Sequence, residues 1–304
     1  MGHDHHHGHD HGTPDLNRAF AIGVGLNLTF VAVEAIYGFK AHSLSLLADA
    51  GHNLADVMGL LLVWGAGVLA TRLPSARRTY GLRRTSILAA LGNAVLLLLA
   101  VGGILWEAAQ RFRAPEPVQS GVVIWVALIG IGINTATALF FLRGRKDDLN
   151  VRAAFVHMVA DAAVSAGVVV AALVILRTGW LWLDPAVSVV IAIAIAVGTW
   201  SLLRDSVNLA LDAVPEGIDP DEVQGYLAGL PGVTAVHDLH IWGMSTTHVA
   251  VTAHLVKPGV GDDDALLAQA SRVLHDRFGI EHATLQVERS ADAANCKQAP
   301  AGVV

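Results

Sequence analysis

The sequence predicts an α-helical membrane protein with six transmembrane helices, followed by a C-terminal α/β cytoplasmic domain. The first observation is composition, because 54% of the 304 residues are hydrophobic and 15% are charged. That composition is too apolar for a soluble protein with an ordinary surface. The second is a set of six apolar runs before Arg204, each near the roughly 20 residues that a spanning helix needs. The third is a change after Arg204 to short periodic segments divided by Pro and Gly.

The connectors between the apolar runs predict how the chain is oriented in the membrane. The runs lie at residues 18–39, 44–71, 87–110, 119–142, 153–177 and 183–203. Two connectors on the same predicted side are basic. The connector between the second and third runs holds Arg72, Arg77, Arg78, Arg83 and Arg84. The connector between the fourth and fifth runs holds Arg143, Arg145, Lys146 and Arg152. Because basic connectors stay in the cytoplasm, we expect both termini to be cytoplasmic. No secretory signal pattern opens the chain, which agrees with a cytoplasmic N-terminus.

Residues 1–16 and 291–304 are predicted to be a flexible leader and a flexible tail. The leader is rich in metal-binding side chains, namely His3, His5, His6, His7, His9 and His11 with Asp4 and Asp10. We expect it to collect metal ions, although a purification tag is the alternative. The tail holds Cys296, the single cysteine of the chain, so an intramolecular disulfide is excluded.

Residues 205–290 are predicted to form the cytoplasmic domain. A helix is indicated by "DPDEVQGYLAGL", which begins at Asp219 with residues typical of a helix start. Two strands are indicated by "VTAVHDLHIW" and "HVAVTAHLV". A second helix is indicated by "DDDALLAQASRVLHDRF", and the alternating pattern of "ATLQVE" indicates a last strand. The predicted order is α-β-β-α-β. With 13 acidic and 4 basic residues, this segment carries a net charge near −9, while the whole chain carries −6. This acidic balance, without a basic stripe, argues against nucleic acid as a partner.

A repeated motif inside two apolar runs points to chemistry. "HNLAD" at residues 52–56 returns as "HMVAD" at residues 157–161. In a helix, positions i and i+4 share a face, so each run presents one imidazole and one carboxylate. If the two runs face each other, His52, Asp56, His157 and Asp161 supply two nitrogen and two oxygen ligands, a tetrahedral set suited to Zn²⁺. The alternative is two isolated polar pairs that serve packing or hydrogen bonding, but the repetition favours a metal site.

Asp49 lies one turn before His52 on nearly the same face. We expect its carboxylate to accept a hydrogen bond from a ligating imidazole and so to orient it, and direct ligation stays open. Four protein ligands leave no open coordination position for a catalytic water, and no H-E-x-x-H motif is present. The sequence therefore argues against an enzyme, with a membrane metalloenzyme as the rival class.

From residue 17 to residue 288 the chain resembles the cation diffusion facilitator family, in particular its zinc-transporter type and the bacterial branch that exports zinc, cobalt and cadmium. The matching stretches are "NLTFVAVEAIYG", "SLSLLADAGHNLADVMGLLL", "YGLRRTSILAALGNA", "HMVADAAVS", "WLDPAVS", "LALDAVPEGID" and "HDLHIW". The resemblance implies a homodimer whose six-span domain, residues 17–204, carries a transport site at His52, Asp56, His157 and Asp161. It also implies a metallochaperone-like fold for the cytoplasmic domain.

The resemblance further implies a metal site in the cytoplasmic domain. We expect His237 and His254 to bind there, and His282, Asp264 and Glu288 are further candidates. We expect His240 and His275 to be structural or solvent-facing. The functional hypothesis is proton-coupled efflux of divalent cations, chiefly Zn²⁺, across the bacterial inner membrane. Co²⁺ or Cd²⁺ are further candidate substrates, and Zn²⁺ is also expected as a regulatory ligand. A membrane-anchored metal sensor or buffer without transport is the alternative.

Overall fold

The computed structural model describes residues 13–70, 74–141 and 149–289. Six long helices come first: α1 (Thr13–Lys40), α2 (Leu44–Ala70), α3 (Thr85–Arg113), α4 (Ser120–Phe141), α5 (Leu149–Thr178) and α6 (Leu183–Ala210). They are followed by α7 (Pro220–Ala228), β1 (Ala235–Gly243), β2 (Val249–Val256), α8 (Asp263–Phe278) and β3 (His282–Glu288). The predicted fold class and the order α-β-β-α-β are confirmed. The histidine-rich segment before residue 13 and Cys296 lie outside the described residues.

Four helical segments of the described chain are long and apolar enough to cross a membrane. They are Thr85–Arg113, Ser120–Leu139, Phe155–Thr178 and Leu183–Ala210, with mean hydropathies of 2.1 to 2.4. A helix satisfies its backbone hydrogen bonds internally, which a hydrocarbon environment requires of any single spanning segment. The helical membrane part of the prediction is therefore confirmed, and the count of six spans stays a prediction.

The chain divides into two compact units. Among the described residues, the first contains those up to Leu61 together with those of Val95–Thr199. Its core takes apolar side chains from five helices, and the largest buried members include Leu46, Val101, Val123, Val168 and Ile191. The second unit contains the described residues of Leu62–Ala94 and those from Trp200 to Arg289.

Within the first unit, the start of α2 is fixed by a buried carboxylate from α6. Asp184 is 1% exposed, and its Oδ2 accepts a hydrogen bond of 2.7 Å from the backbone N–H of Leu44. Its Oδ1 accepts from the hydroxyls of Ser43 at 2.7 Å and Ser45 at 2.6 Å. Arg111 Nη1 lies 3.6 Å from Asp184 Oδ2 and partly balances its charge. The first N–H groups of a helix have no partner within the helix, so Asp184 caps α2 from another helix.

In the second unit, local sequence signals set the ends of the two short helices. Asp219 caps α7 by accepting a 2.9 Å bond from Asp221 N, and Asp262 caps α8 by accepting a 3.0 Å bond from Ala265 N. Gly279 ends α8 with a φ of 66°, a left-handed conformation that glycine adopts without strain. The Lys257 ammonium donates to Asp263 in the first turn of α8 and holds the pKa of that carboxyl below its usual range.

The three strands form one sheet in the order β1-β2-β3. Strands β1 and β2 are antiparallel and place His237 opposite His254, whereas β2 and β3 are parallel. The pairing of β1 with β2 shifts between His237 and His240, where Asp238 has a φ of 51°. A bulge of this kind redirects the side chains around it. Helices α7 and α8 bury Val223, Leu227, Leu266 and Leu274 in the same core as the sheet residues Val251 and Leu255.

Candidate metal sites

The two H-x-x-A-D motifs lie on α2 and α5, and their side chains meet in crossed pairs. His52 Nε2 is 3.1 Å from Asp161 Oδ1. His157 Nε2 is 3.2 Å from Asp56 Oδ2. Each imidazole is thus closest to a carboxylate of the other helix, and His157 Nε2 also lies 3.7 Å from Asp161 Oδ2.

The four side chains form one compact polar cluster. Ligand atoms of His52, Asp56 and Asp161 lie within 4.8 Å of one another, and the rings of His52 and His157 are 6.2 Å apart between centroids. Asp161 is the most buried member, with 3% of its side chain exposed, while His157 is 43% exposed. The cluster offers the nitrogen and carboxylate ligands that Zn²⁺ accepts.

Asp49 lies next to this cluster but takes a different partner from the one expected. Its Oδ2 accepts a 2.8 Å hydrogen bond from Ser165 Oγ on α5, and its Oδ1 has no hydrogen-bond partner among the described residues. The orienting bond to an imidazole is not formed in this structure. Asp49 is fully buried, and so is Glu34 on α1, whose Oε2 accepts a 2.8 Å bond from Asn53. Neither partner, Ser165 or Asn53, was a candidate from sequence.

A second cluster lies on the sheet of the other unit. His237 and His254 face each other with ring centroids 5.2 Å apart. Glu288 at the end of β3 approaches both, with Oε2 3.4 Å from His237 Nε2 and Oε1 3.0 Å from His254 Nδ1. Ligand atoms of these three residues lie within 4.8 Å of one another. His237 Nε2 is buried without a hydrogen bond among the described residues, which suits a nitrogen that binds a metal ion.

Sequence reasoning missed one residue that lies beside this cluster, Asp238. At the bulge its Oδ2 lies 3.6 Å from His254 Nε2, and its Oδ1 lies 2.9 Å from His240 Nε2. Consecutive residues of a regular strand point to opposite faces, so Asp238 and His237 were not expected near the same histidine. The available signal was the Asp between two histidines in "HDLHIW", since Asp tolerates the left-handed conformation better than most residues.

Two further candidates lie elsewhere. His282 begins β3, and its ring contacts the edge of Tyr80 at 5.6 Å between centroids. Asp264 is exposed in the first turn of α8. Among the described residues of one protomer, neither belongs to the His237, His254 and Glu288 cluster.

Comparison with known proteins covers both parts of the chain. Residues 20–209 match the cation efflux transmembrane domain, and residues 215–290 match the cation efflux protein cytoplasmic domain. The metal cation efflux system protein CzcD of Cupriavidus metallidurans is 36% identical over 97% of this chain and 92% of its own. The zinc transporter ZitB of Escherichia coli is 38% identical over 95% of this chain and 93% of its own. A cadmium, cobalt and zinc/H⁺-K⁺ antiporter of Bacillus velezensis is 33% identical over 96% of this chain and 93% of its own.

Proposed function

Because the chain belongs to the cation efflux family, we propose that it exports divalent cations, chiefly Zn²⁺, from the cytoplasm in exchange for protons. The observation that carries the proposal is the crossed pairing of His52 with Asp161 and of His157 with Asp56 between α2 and α5. The relatives named as zinc, cobalt and cadmium transporters support the same substrate class. Co²⁺ and Cd²⁺ are therefore included as secondary substrates.

The charges of the four side chains support exchange of metal for protons. With two carboxylates and two protonated imidazoles, the cluster has no net charge. With two carboxylates, two neutral imidazoles and one divalent ion, it also has no net charge. Exchange of one ion for two protons thus avoids leaving an uncompensated charge inside the membrane, which would be costly. Imidazole gains and loses its proton around neutral pH, and metal binding requires the neutral form.

The proposed mechanism needs the site to open to each side of the membrane in turn. On the cytoplasmic side, Zn²⁺ displaces the imidazole protons and takes the four side chains as ligands. On the other side, protons compete for the same nitrogens and release the ion. Four protein ligands leave no position for an activated water, which favours transport over catalysis at this site.

For the rest of the chain we propose the arrangement expected from sequence. Residues 17–204 form a six-span transport domain of the bacterial inner membrane, with both termini in the cytoplasm. Residues 205–290 form a cytoplasmic domain that dimerises and binds regulatory Zn²⁺ through His237, His254 and Glu288, with Asp238 beside them. The match of residues 215–290 to the cytoplasmic domain of cation efflux proteins supports this role.

Flux into liposomes tests the proposal. The purified chain is reconstituted with a zinc-sensitive dye inside, and Zn²⁺ is added outside with and without a pH gradient, acid inside. We expect the dye signal to rise as Zn²⁺ enters, and to rise faster when the pH gradient is present. The external medium should become more acidic as the metal enters. Binding of Zn²⁺ without any flux would support the alternative, a membrane-anchored sensor or buffer.

A further inference from the structure

A cavity of about 510 Å³ lies within the second unit, beside the segment that joins α2 to α3. One wall is this segment from Arg77 onward and the first turn of α3. The other wall contains Trp242 and Met244, at the end of β1 and just after it. The proposed metal clusters contribute no residue to its lining.

The segment beside the cavity has a defined turn. Ser75 and Arg78 exchange backbone hydrogen bonds of 3.1 and 2.9 Å, and Gly81 N donates to Arg78 O at 2.8 Å. The two walls are also linked, because Thr246 N donates to Ser86 Oγ at 3.2 Å. The main chain that carries the arginines of this segment is therefore well defined around the cavity.

The charge around the cavity is unbalanced. Its lining includes four arginines, namely Arg77, Arg78, Arg83 and Arg84. Arg84 forms an ion pair with Asp212. Among the residues whose side chains the structure describes, no carboxylate oxygen lies within 4.0 Å of a side-chain nitrogen of Arg77, Arg78 or Arg83. Three guanidinium groups around one cavity suit an anion with several oxygens, such as a phosphate ester.

The cavity is also partly apolar, and its apolar side continues onto a membrane helix. Leu82, Leu88, Trp242 and Met244 contribute to the lining. Leu88 is 62% exposed and lies near the start of α3, a helix that is apolar enough to span a membrane. A free phosphate ion would not use this apolar surface, whereas the glycerol and upper acyl chain of a lipid would cover it.

We propose that this cavity binds the phosphate headgroup of an anionic membrane phospholipid. The arginines contact the headgroup, and the acyl chain lies along Leu88 and the apolar surface of α3. The proposal rests on the proposed function for its topology, since it requires the α2–α3 segment to lie at the cytoplasmic membrane surface. Because the cavity has walls from this segment and from the end of β1, the bound lipid bridges the two.

Lipid titration of the full-length protein in a nonionic detergent, followed by native mass spectrometry, tests the proposal. Phosphatidylglycerol is compared with phosphatidylcholine on the wild type and on Arg77→Gln/Arg78→Gln. The matched control is Arg143→Gln/Arg145→Gln, which removes the same charge from the other basic connector. We expect one tight phosphatidylglycerol per protomer, with affinity reduced about 30-fold in the first variant, since each arginine near an anionic lipid contributes roughly fivefold. If the cavity is the binding site, the control should bind phosphatidylglycerol with an affinity close to that of the wild type.

Several outcomes would overturn the proposal. Equal affinity of the wild type for the two lipids would exclude headgroup charge as the basis of binding. This comparison does not depend on the folding of any variant. Displacement of phosphatidylglycerol by millimolar inorganic phosphate would assign the cavity to a free anion. Equal losses of phosphatidylglycerol affinity in the two variants would indicate general attraction between basic segments and the anionic lipid. Loss of dimers in Arg77→Gln/Arg78→Gln without loss of lipid affinity would indicate that these arginines make a protein contact. Zinc flux is measured separately in phosphatidylcholine liposomes, so that failure of the transport proposal is recognised independently.

Discussion

His52 Nε2 and Asp161 Oδ1, which belong to different helices, lie 3.1 Å apart. Asp161 is nearly inaccessible to solvent and is also 3.7 Å from His157 Nε2. It is therefore the carboxylate that both imidazoles approach. In the proposed transport site, we therefore expect Asp161 to be the ligand that is hardest to replace.

The first prediction concerns Asp161. The change Asp161→Asn keeps the shape of the side chain but removes an anionic ligand of the proposed site. We expect zinc flux in liposomes to fall by about 100-fold, because loss of residues that only support metal ligands already costs about 10- to 100-fold. Asp276→Asn, at a carboxylate that is 77% exposed, is the matched control and should keep wild-type flux. Normal flux in well-folded Asp161→Asn protein would reject the site assignment.

The second prediction concerns metal choice at His52. Replacement of its nitrogen by a carboxylate, His52→Asp, should raise the ratio of Cd²⁺ to Zn²⁺ transport, because imidazole suits Zn²⁺ and an added carboxylate favours larger or harder ions. The ratio is measured in the same vesicles with each ion in turn. His42→Asp, at an imidazole that is 62% exposed, should leave the ratio unchanged. An unchanged ratio in His52→Asp would show that His52 is not a metal ligand.

Sequence predicted those parts of the sites that depend on local periodicity. The spacing of His52 and Asp56 places both on one helical face, and the caps at Asp219 and Gly279 predicted the helix ends. The crossed pairing of each imidazole with the carboxylate of the other helix could not be predicted, because it depends on how α2 and α5 pack. Similarly, the partner of Asp49 is set by packing, which brings Ser165 from α5 within 2.8 Å.

The cytoplasmic cluster shows the same limit. The alternation of β1 and β2 predicted His237 and His254 in strands, but a regular strand would place Asp238 on the opposite face from His237. The bulge at Asp238 shifts the register and brings its carboxylate within 3.6 Å of His254. Bulges arise from pairing between strands, so a strand pattern alone does not locate them.

The third prediction concerns close packing between α1 and α4. A Cβ added at Gly130 would lie 2.7 Å from Phe30 Cζ, whereas one added at Gly132 meets no atom within 4 Å. Gly130→Ala should therefore destabilise the fold by about 1–3 kcal/mol, the usual cost of overpacking. Gly132→Ala is the matched control, and Phe30→Leu should relieve much of the effect of Gly130→Ala. Thermal unfolding in detergent measures all variants, and equal melting temperatures for the two alanine variants would contradict the prediction.

The fourth prediction concerns the cap that α6 provides for α2. Asp184→Ala leaves the first N–H groups of α2 and two serine hydroxyls without their buried acceptor, whereas Arg111 keeps Glu107 at 3.1 Å. We therefore expect a loss of about 3 kcal/mol, the usual upper cost of unsatisfied buried donors. Asp219→Ala removes an exposed cap of α7 and should cost about 1 kcal/mol. Comparison of the two melting temperatures checks the difference. If both variants melt at the same temperature, the buried network does not stabilise the start of α2.

The fifth prediction concerns the cytoplasmic domain, which should dimerise more tightly with Zn²⁺ than without it. Its net charge near −9 makes two copies repel each other, and bound cations at His237, His254 and Glu288 reduce that repulsion. A metal ion that the dimer binds more tightly than the monomer must stabilise the dimer by mass action. If only the dimer binds zinc and each of its two clusters takes one ion, the association constant rises about 10,000-fold when free zinc is 100 times its dissociation constant.

Sedimentation of residues 205–290 with Zn²⁺ and with a chelator measures the effect of this metal on the dimer. His237→Ala/His254→Ala should remove the zinc response, because these imidazoles lie opposite each other on paired strands. The matched control is His275→Ala, at an imidazole on α8 that is 65% exposed, and it should respond like the wild type. If the double variant responds normally, or if the chelator changes nothing in the wild type, these histidines are not regulatory ligands, and the domain dimerises independently of metal.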